Sequence, residues 1–422
     1  MTEHTKEATR NRAVLVGLNA HSLSREDNAS ETSLEELAAL VETAGGTCVG
    51  SLLQNRDAPE ARTFIGEGKV AEVTQLVQAQ EADLVVFDNE LSPSQQRVLT
   101  EEMGVQVIDR AGLILDIFAQ RARTKEGRLQ VELAQYKYLL PRLLGMWKHL
   151  ERQEGAIGSR GPGETQLETD RRLIRQRITR LEAELREVRK NRAVQRERRI
   201  KNAIPVVALV GYTNAGKSTL LNRLTGAGIP ANNRLFDTLD TTARQLELSD
   251  TLTVIVSDTV GFIAKLPHHL VEAFRATLEE LQYADLLVHV IDSADPERAA
   301  HIEVVNHLIA QLAKPGVPVL EVYNKADLVT SDDLPRGADC IPLSAKTGAG
   351  AEELLRRMEQ AVGPRLHHAV FLLPYSMAGQ VEQLHLQAKV LACEYETDGI
   401  RMEAICDDVL FGRLQACVVE VR

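Results

Sequence analysis

Cysteine pairs are missing from this sequence of 422 residues. Its five cysteines form no CxxC pair, and none has a histidine at the spacing of a zinc site; they are Cys48, Cys340, Cys393, Cys406 and Cys417. The sequence therefore indicates neither a zinc ribbon nor a disulfide framework. Reduced thiols of a cytosolic protein are the expectation.

Long apolar runs are missing as well. No run approaches the roughly 18 residues that are needed to cross a bilayer. Residues 1–12 are polar and lack the apolar core of a signal peptide. We therefore expect a soluble protein of the cytoplasm.

The chain also lacks an excess of positive charge. It has 49 Lys and Arg against 60 Asp and Glu, a net charge of −11. This excludes a generic polyanion binder, so any contact with nucleic acid must come from a local basic patch. Hydrophobic residues make up 44% of the chain, enough for several cores, and the length suggests roughly two to four domains.

Residues 1–124 show strands and helices in alternation. Short apolar runs predict four strands, at 13–18, 47–53, 83–87 and 105–108. Helical patterns between them predict helices at 33–44, 67–80 and 92–103. Such alternation is typical of an α/β domain with a largely parallel sheet.

The pattern changes to two long helices over residues 125–200. Apolar residues recur every three or four positions in two stripes: Leu133, Tyr136, Leu140, Leu143 and Trp147, then Ile174, Ile178, Leu181, Leu185 and Val188. The glycine-rich segment 155–163 separates them and cannot stay helical. We predict a hairpin of antiparallel helices with this segment at its tip, a kink at Pro141, and arginines that face water or a partner.

Two further domains complete an α/β fold class. A β-α alternation from Val206 to Pro364 predicts a second α/β domain at 202–366. Alternating apolar patterns at 388–395 and 414–421 predict strands of a small α+β domain at 367–422.

The run GYTNAGKS at 211–218 matches the phosphate-binding pattern G-x-x-x-x-G-K-[ST], between a predicted strand and a predicted helix. Its glycines let backbone N–H groups turn toward phosphates. Lys217 is expected to reach the β- and γ-phosphates, and Ser218 to bind Mg²⁺. The expected nucleotide-binding residues are Gly211, Tyr212, Thr213, Asn214, Ala215, Gly216, Lys217, Ser218 and Thr219.

A second motif, DTVG, follows an apolar strand and contributes Asp258, Thr259, Val260 and Gly261. Asp258 fits a second contact to Mg²⁺, and the Gly261 N–H fits a γ-phosphate. The segment 235–242 lies where a first switch is expected, and one of its threonines should sense Mg²⁺ and the γ-phosphate. Thr242 is preferred, with Thr241 and Thr238 as alternatives.

A third motif, NKAD, indicates that the nucleotide base is guanine. Asp327 can accept hydrogen bonds from N1–H and the exocyclic amine of guanine, whereas adenine would leave this carboxylate unpaired. Asn324 can bridge the base and the phosphate loop, and Lys325 can pack on the ring. Backbone N–H groups of Ser344, Ala345 and Lys346 can reach guanine O6. With residues 344–346 as a fourth motif, this order predicts a GTPase whose G domain is 202–366, with Lys217, Thr242 and Gly261 as catalytic residues.

Two residues refine the expected chemistry. Phe262 stands where many G domains have a glutamine that orients water, so hydrolysis should be slow alone or should use a group from elsewhere. Asn214 stands where some related GTPases recruit K⁺, although a solvent-facing or loop-stabilising asparagine fits equally well.

Outside the G domain the sequence resembles the HflX family of bacterial GTPases. The resemblance lies in residues 63–69 (TFIGEGK), 87–93 (FDNELSP), 109–110 (DR), 113–126 (LILDIFAQRARTKE) and 158–172 (GSRGPGETQLETDRR). It covers about residue 14 to the end of the G domain and is weak in the C-terminal tail. One departure is Thr-Thr-Ala at 241–243, where the family usually has Pro-Thr-Thr.

The resemblance implies binding to the 50S subunit and the 70S ribosome, and the dissociation of stalled or idle ribosomes under stress, by a monomer. Residues 151–201 carry 15 Lys and Arg against 9 Asp and Glu, which fits contact with ribosomal RNA. Two alternatives stay open: a GTP-gated RNA scaffold with incidental hydrolysis, and an RNA-remodelling ATPase. The N-terminal domain of the family has been associated with ATP, but residues 66–69 (GEGK) fall short of a Walker loop.

Overall fold

The computed structural model describes most of the chain. The described residues are 11–24, 27–145, 162–201, 204–226, 228, 235–236, 242–249, 252–265, 279–330, 333–335, 337, 340–363, 367–406 and 408–421. The chain forms two compact units, Met1–Leu355 and Arg356–Arg422. None of the helices in the described ranges is long and apolar enough to cross a membrane.

The N-terminal residues form a four-stranded sheet of order β2-β1-β3-β4 in which every pairing is parallel. This confirms the predicted α/β fold. The strands are β1 (Arg12–Ala20), β2 (Thr47–Arg56), β3 (Leu84–Phe87) and β4 (Gln106–Asp109). The helices are α1 (Glu31–Thr43), α2 (Glu67–Ala79), α3 (Pro93–Met103) and α4 (Arg110–Arg121).

Side chains at the helix starts explain where these helices begin. Ser30 and Ser92 each close a capping box, with Ser33 and Gln95 as the reciprocal partners. Pro93 follows Ser92 at the first helical position, where its missing N–H costs nothing. Asp109 caps α4 by accepting a hydrogen bond from the Gly112 N–H. Strand β4 therefore leads into α4 without a loop.

Two helices form the predicted helical region. Helix α5 is Lys125–Leu139, and a 3₁₀ turn at Leu140–Gly145 takes the place of the kink expected at Pro141. Helix α6 is Pro162–Lys201, so it begins inside the segment predicted as the tip, while residues 155–161 and Trp147 lie outside the described residues. The two helices meet in a core of Leu129, Leu133, Leu181 and Leu185, with Tyr136, Ile178 and Val188 against it.

The G domain contains a six-stranded sheet of order β10-β9-β8-β5-β7-β6. All neighbours are parallel except β6 and β7, which form an antiparallel pair. The strands are β5 (Val206–Val210), β6 (Thr242–Ser249), β7 (Leu252–Asp258), β8 (Leu286–Asp292), β9 (Val319–Asn324) and β10 (Cys340–Pro342). The helices are α7 (Lys217–Thr225), α8 (Arg298–Leu312) and α9 (Ala351–Val362). All three motifs follow the carboxyl ends of the central strands.

The C-terminal unit contains an antiparallel sheet of order β12-β13-β11-β14 with two helices. Its elements are β11 (His367–Leu373), α10 (Ala378–Gln387), β12 (Lys389–Glu396), β13 (Gly399–Cys406), α11 (Asp408–Arg413) and β14 (Val418–Val421). The predicted strand at 414–421 is therefore half wrong, since Gln415–Cys417 form a 3₁₀ turn before β14. The α+β character is as predicted.

Candidate functional site

The loop between β5 and α7 has a backbone that only glycine can adopt at two positions. Gly211 has φ 155° and Gly216 has φ 94°. A Cβ at Gly211 would lie 2.2 Å from the Val290 carbonyl oxygen, and one at Gly216 would lie 2.2 Å from Nδ2 of Asn324. Asn214, at φ 62°, supplies a third left-handed position. The loop therefore curves around the N-terminus of α7, as a phosphate-binding nest does.

Lys217 points back into this loop. Its Nζ donates to the carbonyl oxygens of Gly211, at 3.1 Å, and Tyr212, at 2.8 Å. Burial lowers the pKa of Lys217 to about 8, although the nearby Asp258 acts in the opposite direction. A buried ammonium held by two neutral carbonyls is a strong attractor for an anion at the same helix terminus.

An oxygen pair suited to Mg²⁺ lies beside the loop. The Ser218 hydroxyl donates to Asp258 Oδ2 at 2.6 Å, and Asp258 ends β7. Thr242 begins β6 and lies opposite Asp258 in the register of the two strands. The described residues contain no group of three or more His, Cys, Asp or Glu that could hold a metal. Mg²⁺ often binds through few protein oxygens together with phosphates and water, and a hydroxyl with a carboxylate fits that use.

The residues after Asp258 are attached to the phosphate loop through backbone hydrogen bonds. The Thr213 N–H donates to the Phe262 carbonyl at 2.7 Å, and the Phe262 N–H donates to the Gly211 carbonyl at 3.1 Å. A Cβ at Gly261 would lie 2.9 Å from Thr213 Cα and 3.1 Å from Lys217 Nζ. The Phe262 side chain is 2% exposed and belongs to the hydrophobic core. It offers no hydrogen bond to water.

The base side of the site is connected to the phosphate side by one asparagine. Asn324 Nδ2 donates to the Ala215 carbonyl at 2.8 Å, and its Oδ1 accepts from the Ala345 N–H at 2.9 Å. Asn324 is 2% exposed. This buried amide therefore fixes the distance between the 344–346 loop and the phosphate loop. It also takes the Ala345 N–H, one of the three N–H groups expected at guanine O6.

Asp327 and Lys325 lie at the open side of the same loop. Asp327 is exposed, and the Ser344 hydroxyl holds the pKa of this carboxyl below its usual value. Lys325 has φ 61°, and its Nζ lies 2.5 Å from Asp292 Oδ2. Asp327 is therefore ionised at neutral pH and available as an acceptor of two hydrogen bonds.

Two contributors to this loop were not predicted from the sequence. Arg223, in the last turn of α7, donates through Nε to the Ala345 carbonyl at 3.2 Å and through its guanidinium to the Lys346 carbonyl. Asp292 holds Lys325. Neither residue lies in a recognisable motif, because each acts through a contact that only the folded chain creates.

The remaining predicted residues are distributed around the loop. Tyr212, Thr213, Ala215 and Val260 are buried, and Asn214 and Lys346 are exposed. Thr219 lies in the first turn of α7 and is half-buried. The Thr259 hydroxyl donates to the Leu209 carbonyl at 2.7 Å, so this side chain ties the segment to β5. Thr238 and Thr241 lie outside the described residues.

Curated relatives extend over almost the whole chain. A protein named GTPase HflX from Caldanaerobacter subterraneus subsp. tengcongensis is 48% identical over 93% of this chain and 90% of its own length. The chain belongs to the HflX family of GTPases. A second relative of the same name, from Escherichia coli, is 46% identical over 87% of this chain and 87% of its own length.

Family models divide this HflX-family chain into three matched segments. They are described as "GTP-binding GTPase N-terminal" at 31–119, "GTP-binding GTPase Middle Region" at 121–199, and "50S ribosome-binding GTPase" at 206–325. The chain is also similar to the crystal structure of a GTP-binding protein from Sulfolobus solfataricus in complex with GDP. The identity is 26%, the TM-score is 0.45, and 83% of this chain and 98% of that chain are covered.

The segment GEGK at 66–69 of this HflX-family chain does not form a second phosphate loop. Gly66 caps α2, and its N–H donates to Gln54 Oε1 at 3.0 Å. Lys69 lies 2.6 Å from Glu72 on the same helix. Gly66 has φ −66°, and neither Gly66 nor Gly68 has the left-handed φ of Gly216 in the 211–218 loop, so this segment gives the ATP alternative no support.

Proposed function

We propose that this chain binds GTP at residues 211–219 and hydrolyses it in a switch cycle. The observation that carries the proposal is the buried Asn324 amide, which joins the Ala215 carbonyl to the Ala345 N–H. A phosphate cradle and a base-reading loop are thereby held at a fixed separation, which is the requirement for recognising a whole nucleotide.

Each predicted residue has a part in this proposal. Gly211–Thr219 hold the phosphates, while Asn324, Lys325, Asp327 and the loop 344–346 hold the guanine. Ser218 and Asp258, with Thr242, are the residues that would bind Mg²⁺, which supplies charge neutralisation at the phosphates. Lys217 and the Gly261 N–H stabilise the charge that develops on the γ-phosphate. Thr259 and Val260 carry the backbone that places Gly261.

Hydrolysis by the chain alone is proposed to be slow. The Phe262 side chain lies in the core and cannot orient a water molecule. A water-positioning group must therefore come from another residue or from a partner.

Asn214, exposed and at φ 62°, offers an amide oxygen to a monovalent cation such as K⁺. Equal turnover in K⁺ and Na⁺ buffers would remove K⁺ from the proposal.

The proposed partner is the large ribosomal subunit. The family model over 206–325 is described as a 50S ribosome-binding GTPase, and α6 is rich in arginine. We propose that a monomer acts in the cytoplasm, binds the 50S subunit and 70S ribosomes through ribosomal RNA, and dissociates stalled or idle ribosomes under stress. The proposed domains are 1–124, 125–200 with its tip at 155–163, 202–366 and 367–422.

Substitution of Asp327 tests the base specificity. In Asp327→Asn the side-chain amide presents a donor where guanine needs an acceptor, but this donor matches the 2-carbonyl of xanthine. GTP affinity should fall at least about a hundredfold, and XTP should bind in its place. Titration with GTP, GDP, ATP and XTP measures this. Preference of the wild-type protein for ATP would refute the proposal.

Sedimentation tests the partner. The protein is mixed with 30S, 50S or 70S particles in the presence of a GTP analogue or GDP. The proposal requires that it pellet with 50S and 70S particles in the analogue, that it release them in GDP, and that 70S particles separate into subunits. GTP turnover that is unchanged by any of the particles would instead favour the scaffold alternative.

A further inference from the structure

Three charged residues of the N-terminal sheet and its helices form a buried cluster at the G domain. Asp88 follows β3 and Arg110 begins α4, so both lie at the carboxyl edge of the parallel sheet. The Arg110 guanidinium, 2% exposed, lies 2.6 Å from Asp88 Oδ1 and also contacts Glu36 of α1. Asp88 and Arg110 belong to the FDNELSP and DR motifs, which the nucleotide site itself does not use.

The second oxygen of each carboxylate is directed to the G domain. Glu36 Oε1 accepts a hydrogen bond from the Tyr212 hydroxyl at 2.5 Å. Asp88 Oδ2 accepts from the Lys265 ammonium and from the Ser33 hydroxyl, the latter at 2.8 Å. The two carboxylates therefore each connect Arg110 to a different residue of the G domain.

These two G-domain residues, Tyr212 and Lys265, lie close to Gly261, whose N–H is proposed to contact the γ-phosphate. Tyr212 is part of the phosphate loop, and its hydroxyl accepts a hydrogen bond from the Ala264 N–H at 2.7 Å. Lys265 is next in the chain and has φ 56°, a left-handed conformation that a non-glycine residue keeps only when its surroundings impose it. Gly261 lies three residues before Ala264. Contacts with the N-terminal sheet thus fix the chain shortly after the γ-phosphate contact.

Apolar packing connects the N-terminal α/β domain to a second segment of the G domain, residues 235–242, which is predicted to be the first switch. The ring of Phe118, in α4, meets the ring of Phe236 edge-to-face with centroids 4.7 Å apart. Phe236 is 3% exposed at φ 53°, within the segment predicted as the first switch. Both segments that must respond to a γ-phosphate are therefore in contact with the N-terminal α/β domain.

The charged side chains of this cluster contribute more to the exact placement of Tyr212 and Lys265 than to the free energy of unfolding. Two carboxylates and two cations balance in charge, but they are buried at an interface where apolar residues of similar size would hold as well or better. A charged cluster makes the contact directional, because each hydrogen bond holds one particular carboxylate oxygen against one particular donor. The donors fixed here are the Tyr212 hydroxyl and the Lys265 ammonium.

We propose that Glu36 and Asp88 are positioning residues for GTP hydrolysis, acting through Tyr212 and Lys265 to place the Gly261 N–H at the γ-phosphate. The inference rests on the proposed GTPase function and extends it to the N-terminal α/β domain. GDP lacks the γ-phosphate, so loss of this positioning affects binding and turnover of GTP while GDP binding stays the same.

The experiment compares three variants of the full chain. Tyr212→Phe removes the hydroxyl but keeps the ring, Glu36→Ala removes its acceptor, and Glu36→Gln keeps an acceptor oxygen. Glu35→Ala, an exposed neighbour on α1, is the matched control. We expect kcat for GTP to fall about tenfold in Glu36→Ala, which loses the hydrogen bond from Tyr212, and at least as much in Tyr212→Phe, which also leaves the Ala264 N–H without its acceptor. Glu36→Gln should recover part of this, and Glu35→Ala should match the wild type.

Two further measurements separate positioning from general damage. GDP affinity should be unchanged in the Glu35 and Glu36 variants, which also shows that the site is folded. The double variant Glu36→Ala/Tyr212→Phe should be no slower than Tyr212→Phe alone, because that single variant already lacks the hydroxyl through which Glu36 acts. Unchanged or faster GTP turnover in the single variants, or an equal loss of GDP and GTP-analogue affinity, would overturn the inference. A wild-type protein that binds no guanine nucleotide would overturn the proposed function as well.

Discussion

Gly261 has no room for a side chain. A Cβ there would lie 2.9 Å from both Cα and Cγ2 of Thr213, and the phosphate loop cannot move without losing its own contacts. Gly261→Ala should therefore displace the 261 N–H from the γ-phosphate. Loss of one such donor costs about a hundredfold in turnover. Single-turnover hydrolysis measures this, and retained GDP binding is the control. Normal turnover in the variant would exclude a catalytic part for this N–H.

The buried His289 side chain should make the free energy of unfolding depend on pH. It is 1% exposed on β8, and in the described part of the chain its Nδ1 has no hydrogen-bond partner. Burial, with Lys217 nearby, lowers its pKa to about 4. Between the unfolded pKa of about 6.5 and this value, the unfolded chain binds a proton that the folded chain does not. This contribution to stability is therefore lost as the pH falls through that window.

His289→Leu should remove this pH dependence. Relative to the variant, the wild type should lose about 1.5 kcal/mol of unfolding free energy from pH 6.5 to pH 5, because the slope rises from half to nearly all of roughly 1.4 kcal/mol per pH unit over this range. Urea unfolding of both proteins at the two pH values gives the difference. Parallel pH profiles would mean that the folded and unfolded proteins bind the His289 proton equally, and would contradict the lowered pKa.

The sequence predicts single residues well only where a local motif carries them. The phosphate loop and the NKAD motif need fixed backbone shapes and donor types, so Gly216 and Asn324 are visible from spacing alone. Arg223 and Glu36 are not, because Arg223 reaches carbonyls more than a hundred residues away and Glu36 reaches Tyr212, 176 residues away in the phosphate loop. The sequence shows that Phe262 replaces a common glutamine, but its place in the core follows from tertiary packing.

At the scale of elements, the helix pair α5 and α6 depends on a small core. Leu181 is fully buried against Leu129 and Leu133, whereas Leu173 on the same helix is 54% exposed. Leu181→Ala should lower local stability by about 2–5 kcal/mol, and Leu173→Ala should have little effect. Hydrogen exchange in α5 measures this local opening. Equal protection in both variants would mean that the helices do not depend on this core, and GTP affinity serves as the control.

Elements with strong periodicity were predictable and short ones were not. The parallel strands of the N-terminal sheet lie within a few residues of their predicted positions, and in β1, β3 and β4 the reason is that buried strands are nearly continuous apolar runs. The turn at Gln415–Cys417 carries an alternation that resembles a strand, yet the chain must bend there to enter β14. Periodicity alone does not report such a bend.

At the scale of the whole molecule, the acidic net charge opposes binding to RNA. Binding must therefore depend on where the positive side chains lie and not on the total charge. Arg172, Arg175 and Arg180 lie along one side of α6 and form a basic strip there. Arg180 lies 2.9 Å from Glu184, but Arg172 and Arg175 are exposed. A basic strip of this kind raises the affinity for phosphates only nearby, within about a Debye length of 8 Å.

Reversing these two charges tests the strip. Affinity of Arg172→Glu/Arg175→Glu for 50S particles should fall, and the slope of log K against log salt should flatten by about 2, since two phosphate contacts are lost. The control is Lys389→Glu, an exposed reversal in the C-terminal unit. Its slope should match the wild type because it lies outside the strip. If Lys389→Glu flattens the salt slope by about half as much as the double reversal, then each reversed charge has the same effect wherever it lies. In that case net charge governs binding and α6 is not the RNA-contacting element.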